Sequence, residues 1–446
     1  MLKKIRNKQN IILYILLAIF LLFTLYLAST VKMGISSDSW YHLRVSQEYS
    51  KTLGIPVNTP DTYKWRDITN IPYLYFWING RILNLNSATF NFNEVILLRV
   101  INIFFALGTV IATYLLSKEC IKNRWAQLIP VLLLVNTLMF LFLSSSINYD
   151  NLSNMLASFA ILFFVKSIKQ KDTLKYPILT ILMLSIACLT KYTILPLAFI
   201  LVILLLIDMF RTKRVFNMKD RSLLLLLPTI FFLLLNLLLY GGNLVNHGEL
   251  DPDCSKTLTY EQCLENGVFR RDNELMPAEE VNLIEMITTG QRLDPIRYTG
   301  IWIWEMTKRV IGIMGDSSFF HSDSVVSLFT ALLGISLIVG VVNWKKYSVE
   351  IKYMASLTLF YLLILLIVQN YDMYLKRGYE VLALQGRYMF PVISSFYVLI
   401  SVFWLNIKNK YFKIGIISIS LILLTLLSIP YFLLNVDSSW FGTITY

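Results

Sequence analysis

Charge is what this sequence has least of: only 15% of its 446 residues are Asp, Glu, Lys or Arg, against 56% hydrophobic. Soluble domains carry about 25% charge, and no soluble core could hide this much apolar surface, so a water-soluble fold is excluded. Histidine is scarcer still. His42, His247 and His321 stand singly, without metal-ligand spacing, and no zinc site is expected. There is no Walker loop, GxSxG or HExxH, and hence no sign of an ATPase or a common hydrolase. Asp251-Pro252-Asp253 has the DxD spacing of metal-dependent nucleotide-sugar transferases, but acids one residue apart are ordinary in polar loops. The sequence neither supports nor rules out a divalent cation. Internal repeats and low-complexity tracts are also absent, which leaves a single membrane domain over 1–446.

What is there is apolar helix. Crossing a bilayer takes about 20 apolar residues, and about eleven segments qualify: 11–30, 95–117, 125–143, 151–167, 176–190, 193–209, 222–240, 324–343, 353–369, 388–405 and 414–434. The chain is therefore expected to be an all-α polytopic integral membrane protein. The fifth and sixth segments are short and predict a tight hairpin at the outer surface. The first is close to full spanning length with no small-residue cleavage site after it, and is expected to be retained rather than removed as a signal peptide.

Positive charge in short loops stays on the cytoplasmic side. Lys3, Lys4, Arg6 and Lys8 place the N-terminus inside, and alternation then puts the basic loops 118–124, 166–175, 211–221, 345–352 and 408–413 inside as well. The tail 436–446 falls outside. About half of the Lys and Arg lie in these inner loops beside anionic lipid, so the net charge of +12 reflects topology, and no nucleic-acid partner is expected. Of the four cysteines, Cys120 lies at the inner face and Cys188 within a span. Cys254 and Cys263 share the largest outer loop and are disulfide candidates, with two free thiols as the alternative.

Two outer loops exceed simple connections, 31–94 and 241–323. The first predicts two interfacial helices. One is capped by Ser36 or Ser37 and runs to about Leu53, where Gly54 and Pro56 stop it; the other, 71–85, is rich in aromatics. The second loop is acidic through Asp251, Asp253, Glu261, Glu265, Asp272, Glu274, Glu279, Glu280 and Glu285, and ends in the amphipathic run 301–313.

The candidates for chemistry cluster on the outer side. Asp38 and His42 are four apart and share a helix face, where they could offer a base and its hydrogen-bonding partner; alternatively Asp38 caps the helix. Asp150 is a second outer carboxylate, or the N-cap of the fourth span. Lys191, beside Tyr192 at the hairpin tip, either snorkels to water or grips a phosphate. Arg387, in Gln385-Gly386-Arg387-Tyr388, offers a planar fork for phosphate, with Lys376 and Arg377 upstream on the same disfavoured side.

At these residues the chain resembles the polyprenyl-phosphate-dependent membrane glycosyltransferases of the GT-C superfamily, and more narrowly the bacterial family called domain of unknown function 2142. The matching pieces, in order, are Asp38 with His42, Asn148-Tyr149-Asp150, Lys191-Tyr192, and Gln385-Gly386-Arg387-Tyr388 with Pro391. The pattern usually has a second acid after the aspartate, where this chain has Ser39, and often proline where it has Ser37, leaving Asp38 as the single base. The resemblance implies a GT-C-like fold in a bacterial plasma membrane and inverting transfer from a lipid-linked sugar to a glycan, glycolipid or protein acceptor. Asp38 and His42 would be catalytic; Asp150, Lys191, Tyr192, Arg387 and Tyr388 would bind substrate. A polysaccharide polymerase or ligase would depend instead on arginines of the large loop, and a transporter of lipid-linked sugars on ionisable residues at mid-membrane.

Overall fold

The structure, a computed structural model, describes residues 2–212, 221–275 and 281–443. The basic loop expected at 211–221 lies largely outside the described residues, as do Glu279, Glu280, the last three residues of the tail, and the side chains of Lys3, Lys4 and Arg6.

Among the described residues, nine helices are long and apolar enough to cross a membrane: Lys8–Thr30, Glu94–Cys120, Asp150–Lys169, Tyr192–Thr212, Ser222–His247, Asp323–Val342, Val349–Arg377, Gly386–Leu405 and Lys410–Asn435. The expected eleven is corrected at two places. The segment 125–143 is a pair, Ala126–Val135 and Leu138–Ser144, bent by 66°. The break falls at Asn136-Thr137. Asn136 Nδ2 donates to the Leu132 carbonyl at 2.8 Å, and Thr137 Oγ1 bonds the Leu133 carbonyl at 2.9 Å and Tyr397 OH at 2.6 Å. Side chains that satisfy freed backbone groups let a helix break away from water.

The second correction is Lys175–Cys188. Its 14 residues span roughly 21 Å at 1.5 Å per residue, against about 30 Å of hydrocarbon. Its partner Tyr192–Thr212 has 21 residues, so only one arm of the expected hairpin is short. The chain nevertheless returns to its starting end, because Lys191, just past the short helix, pairs with Asp150 at the start of the preceding one. At the opposite end, Lys169 reaches Glu119 at 2.9 Å, and Gln9 donates to the Arg124 carbonyl at 2.8 Å.

Hydroxyl groups tie the spans together inside. Ser394 Oγ lies 2.7 Å from both Thr113 Oγ1 and Ser158 Oγ, joining three helices through one buried atom. Such bonds contribute where apolar packing alone cannot distinguish a helix from lipid.

The first long loop, 31–94, forms Ser39–Ser50 and Leu74–Thr89. The first helix has its N-cap position at Asp38 rather than at Ser36 or Ser37 and ends before Leu53, and the second starts three residues later than expected. Between them, Asp67 is a knot: its Oδ1 accepts from Asn58 Nδ2 and the Thr69 amide, both at 2.8 Å, and its Oδ2 from Asn70 Nδ2 at 2.9 Å. The chain before the knot is strained, since Arg66 has φ 72° and ψ −171°, a region that is nearly glycine-only and costs about 1–3 kcal/mol. Buried Arg99 holds the loop's beginning, donating to the carbonyls of Ala28 at 2.8 Å and Val31 at 2.7 Å, where the first span runs out of its own donors.

The second outer loop is clipped by a Cys254–Cys263 disulfide. It ends in Pro295–Ile311, capped by Asp294, which accepts from the Ile296 and Arg297 amides at 3.0 and 3.1 Å. Trp302 is buried against the bundle and bonds Asn370 Oδ1 at 2.8 Å. No strands form among the described residues, only the isolated bridges Val31 with Phe441 and Ile313 with Phe319.

Candidate active site

Asp38 does not cap its helix through its side chain. It occupies the N-cap position of Ser39–Ser50 in the left-handed region, φ 60° and ψ 4°, and its side chain bonds no amide there. Only its carbonyl serves the helix, accepting from the His42 amide at 2.9 Å. The carboxylate turns to the far end of the sequence, where Oδ2 accepts from Arg387 Nη2 at 2.5 Å. Arg387 Nε in turn lies 2.5 Å from Gln385 Oε1 and 3.6 Å from Asp150 Oδ2. The other oxygen of Asp150 pairs with Lys191. The result is a row of alternating charge, Asp38, Arg387, Asp150, Lys191.

Exposure divides the row. The side chains of Asp150, Lys191 and Arg387 are 2%, 4% and 5% exposed, whereas that of Asp38 is 45% exposed. Asp38 is the member a substrate can reach first. Burial pushes its pKa up, but the Arg387 guanidinium, helped by Lys191, outweighs this and holds the carboxyl below the usual carboxylate range.

Each buried member has a physical anchor. Arg387 follows Gly386, where a Cβ would stand 2.5 Å from the Arg309 carbonyl oxygen, so only glycine lets the backbone come this close. Tyr361 OH then fixes the next turn by donating to the Tyr388 carbonyl at 3.0 Å. The Asp150 amide donates to Asn148 Oδ1 at 2.9 Å, so Asn148, not Asp150, satisfies the helix start. Lys191 does not snorkel. Its ammonium sits between two aromatic faces, 4.9 Å from the centre of Tyr149 and 5.0 Å from that of Tyr388, which offsets part of the cost of burying a cation. Burial still lowers its pKa, although Asp150 opposes this.

Tyr192 is 39% exposed beside this row. His42 behaves differently from a base's partner: it is fully buried, neither ring nitrogen has a hydrogen bond, and its ring meets Tyr149 edge-on at 4.4 Å. Burial takes its pKa down to about 3, so it is a neutral wall of the site. The two upstream cations are engaged elsewhere, Lys376 with Asp372 at 2.8 Å and Arg377 with the Asp272 carbonyl.

Asp316 escaped the sequence reading. The bridge between Ile313 and Phe319 closes a short hairpin, and its tip lies against the Asp38 loop, where the Ser317 amide donates to the Ile35 carbonyl at 3.4 Å. This puts Asp316 within electrostatic reach of Asp38 and Arg387, with burial first and the Asp38 charge second raising its pKa to about 6. A Gly-Asp-Ser-Ser stretch in an outer loop carries no local signal of this. Among the described residues, no three His, Cys, Asp or Glu side chains converge as a metal cage would require.

The helix bundle has counterparts among solved structures. ArnT from Cupriavidus metallidurans, crystallised with undecaprenyl phosphate, superimposes with a TM-score of 0.51 at 12% identity, over 92% of this chain and 62% of that one. The oligosaccharyltransferase of Archaeoglobus fulgidus, tethered with an acceptor peptide, gives 0.51 at 15% identity, over 96% and 55%. The fold is of the GT-C type. This chain spans less than two thirds of either structure's length. Residues 71–236, less than half of the chain, match the family described as dolichyl-phosphate-mannose-protein mannosyltransferase. No curated protein sequence matches the chain.

Proposed function

We propose that this protein is a membrane glycosyltransferase that takes a sugar from a polyprenyl-phosphate carrier and delivers it, with inversion, to a cell-envelope acceptor at the outer membrane face. The observation that carries this reading is the pairing of the two buried cations, Arg387 and Lys191, with Asp38 and Asp150 at one end of an apolar bundle. The fold shared with ArnT and the matched mannosyltransferase family support it. The narrower kinship to domain of unknown function 2142, the bacterial plasma membrane and the outward orientation belong to the same proposal and rest on the sequence.

The chemistry follows from charge. A sugar linked through phosphate to a lipid carries one negative charge, and the departing lipid phosphate carries two. The added charge appears on the oxygen that leaves, which is where fixed cations accelerate most. The donor's phosphate would take over Arg387, releasing Asp38. Freed from its partner, Asp38 accepts the proton of the acceptor hydroxyl as that oxygen bonds the anomeric carbon and the bond from that carbon to the phosphate oxygen breaks, its electron pair staying with the phosphate. Asp150 keeps Lys191 and Arg387 aligned throughout.

The test compares wild type, Asp38→Asn and Arg387→Ala for transfer from a labelled polyprenyl-phosphate sugar in membranes. Loss of transfer in both at normal protein level is expected. Full transfer by Asp38→Asn would remove the assigned base, and no transfer by wild type with any donor would remove the reaction.

A further inference from the structure

A second polar group, built from the two outer loops together, lies near the Asp38 row, with Tyr41 within electrostatic reach of both. The loops are stitched by Asn266 Nδ2 donating to the Lys64 carbonyl at 3.0 Å, and by Asn243 Nδ2 donating to the carbonyls of Asn70 at 2.9 Å and Leu250 at 3.0 Å. The disulfide between Cys254 and Cys263 fixes the chain that follows Asp251. At the seam stands Arg66, held in a backbone conformation that side chains avoid, with its guanidinium 3.9 Å from Asp253 and within electrostatic reach of Asp251, Tyr41 and Tyr192. Strain of this kind persists only where surrounding structure enforces it, and it gathers at ligand sites.

The geometry points to Arg66, Asp251, Tyr41 and Tyr192 as the pocket that recognises the sugar of the donor. This rests on the lipid-phosphate reading above, which supplies the phosphate position. The sugar's anomeric carbon is bonded to that phosphate, so the ring must lie immediately beside the groups that hold it. Tyr192 directly follows Lys191, and Tyr41, three residues after Asp38, lies within electrostatic reach of both Asp38 and Arg66. Aromatic faces pack against the C–H side of a pyranose, while a carboxylate and a guanidinium fork discriminate its hydroxyls by paired hydrogen bonds. Asp251 is half-buried, and burial raises its pKa to about 6, so it can accept or donate at such a hydroxyl. A site that hydrogen-bonds a hydroxyl rejects an epimer strongly, because the unmatched polar groups are left unpaired.

The experiment measures the affinity of the purified full chain for sugarless polyprenyl phosphate and for the same lipid bearing glucose, mannose, galactose or N-acetylglucosamine. Wild type should prefer at least one of the sugars over the others by about tenfold, the size of a matched hydrogen-bonded contact. Asp251→Asn and Arg66→Gln should erase that preference while binding the bare lipid as wild type does, which also shows that they fold. Arg66→Lys should recover part of it. Variants that keep the preference, or a wild type that binds the bare lipid but distinguishes no sugar, overturn the pocket alone. A wild type that binds no polyprenyl phosphate overturns the lipid-donor reading, and the pocket with it.

Discussion

Arg387 Nη2 and Asp38 Oδ2 lie 2.5 Å apart across nearly the whole chain, one buried and the other open to the cleft. The pair is asymmetric in what each partner can do. Arg387 cannot leave its buried place, held by Gln385 and Asp150, whereas Asp38 can turn away into water.

That asymmetry separates two variants. Asp38→Asn keeps a neutral side chain over Arg387 and should change the melting temperature little, while lowering the transfer rate about 10²- to 10⁴-fold through loss of the base. Arg387→Ala leaves Asp150 short of a partner and should lower both rate and melting temperature. Single-turnover transfer and thermal unfolding in detergent separate the two effects.

The pH response of Asp38 should lie at the acid end. Its folded pKa is depressed, so its contribution to stability is present above the unfolded carboxylate value of about 4 and is lost as pH falls below that. Removing the guanidinium in Arg387→Ala leaves burial less opposed, so the folded pKa of Asp38 rises toward or past the unfolded value and the acid-end loss should shrink or reverse. Unfolding midpoints measured from pH 3 to 7 in wild type and variant check the sign.

Asp316 should act in the opposite direction. Its folded pKa is raised to about 6, so between the unfolded value near 4 and 6 the folded protein binds the extra proton, and stability falls as pH rises through this window. Asp316→Asn should flatten that slope. An unchanged slope would show that the carboxyl does not share the field of Asp38.

Lys191 and Asp150 form a buried pair in which each partner makes the other tolerable. Asp150→Asn or Lys191→Met alone should destabilise by about 3–5 kcal/mol, and the double variant by clearly less than the sum, because neither charge is then left unpaired. A double-mutant cycle of unfolding free energies gives the coupling directly.

Arg99 offers a test away from the chemistry. Arg99→Met leaves the carbonyls of Ala28 and Val31 without their donor, at about 1–3 kcal/mol for each buried group, and loosens the loop that carries Asp38. Faster amide exchange over 31–38 is the expected readout.

Hydropathy made the bundle legible, since long apolar runs have few other fates. It could not show that Asn136 and Thr137 break the third segment, because the average over a run hides two polar residues whose partners lie elsewhere. Lys191 and Arg387 were legible as misplaced cations and Asp38 and Asp150 as acids on the same face, and the structure brings all four together. What stayed hidden was direction. Spacing put Asp38 and His42 on one helix face, but the left-handed turn at Asp38 leaves the histidine ring in the core and sends the carboxylate to Arg387. Arg66 and Asp316 carried no signal as site residues, and Asp251 read only as part of an ordinary acid pair, because loops some 200 residues apart have to dock before they become neighbours.

Tethering Asp38 opposite Arg387 also makes it a competitor for every anion in the membrane. A carboxylate on a short backbone lead has an effective concentration of millimolar or more at its own cation. Phospholipid head groups carry the same phosphate chemistry and surround the site in great excess. They must displace this built-in rival with phosphate and ordinary acyl chains, whereas the proposed donor brings a sugar as well. On the proposed reading, the resting ion pair sets a threshold of affinity that works against abundant lipids and favours the sugar-bearing one.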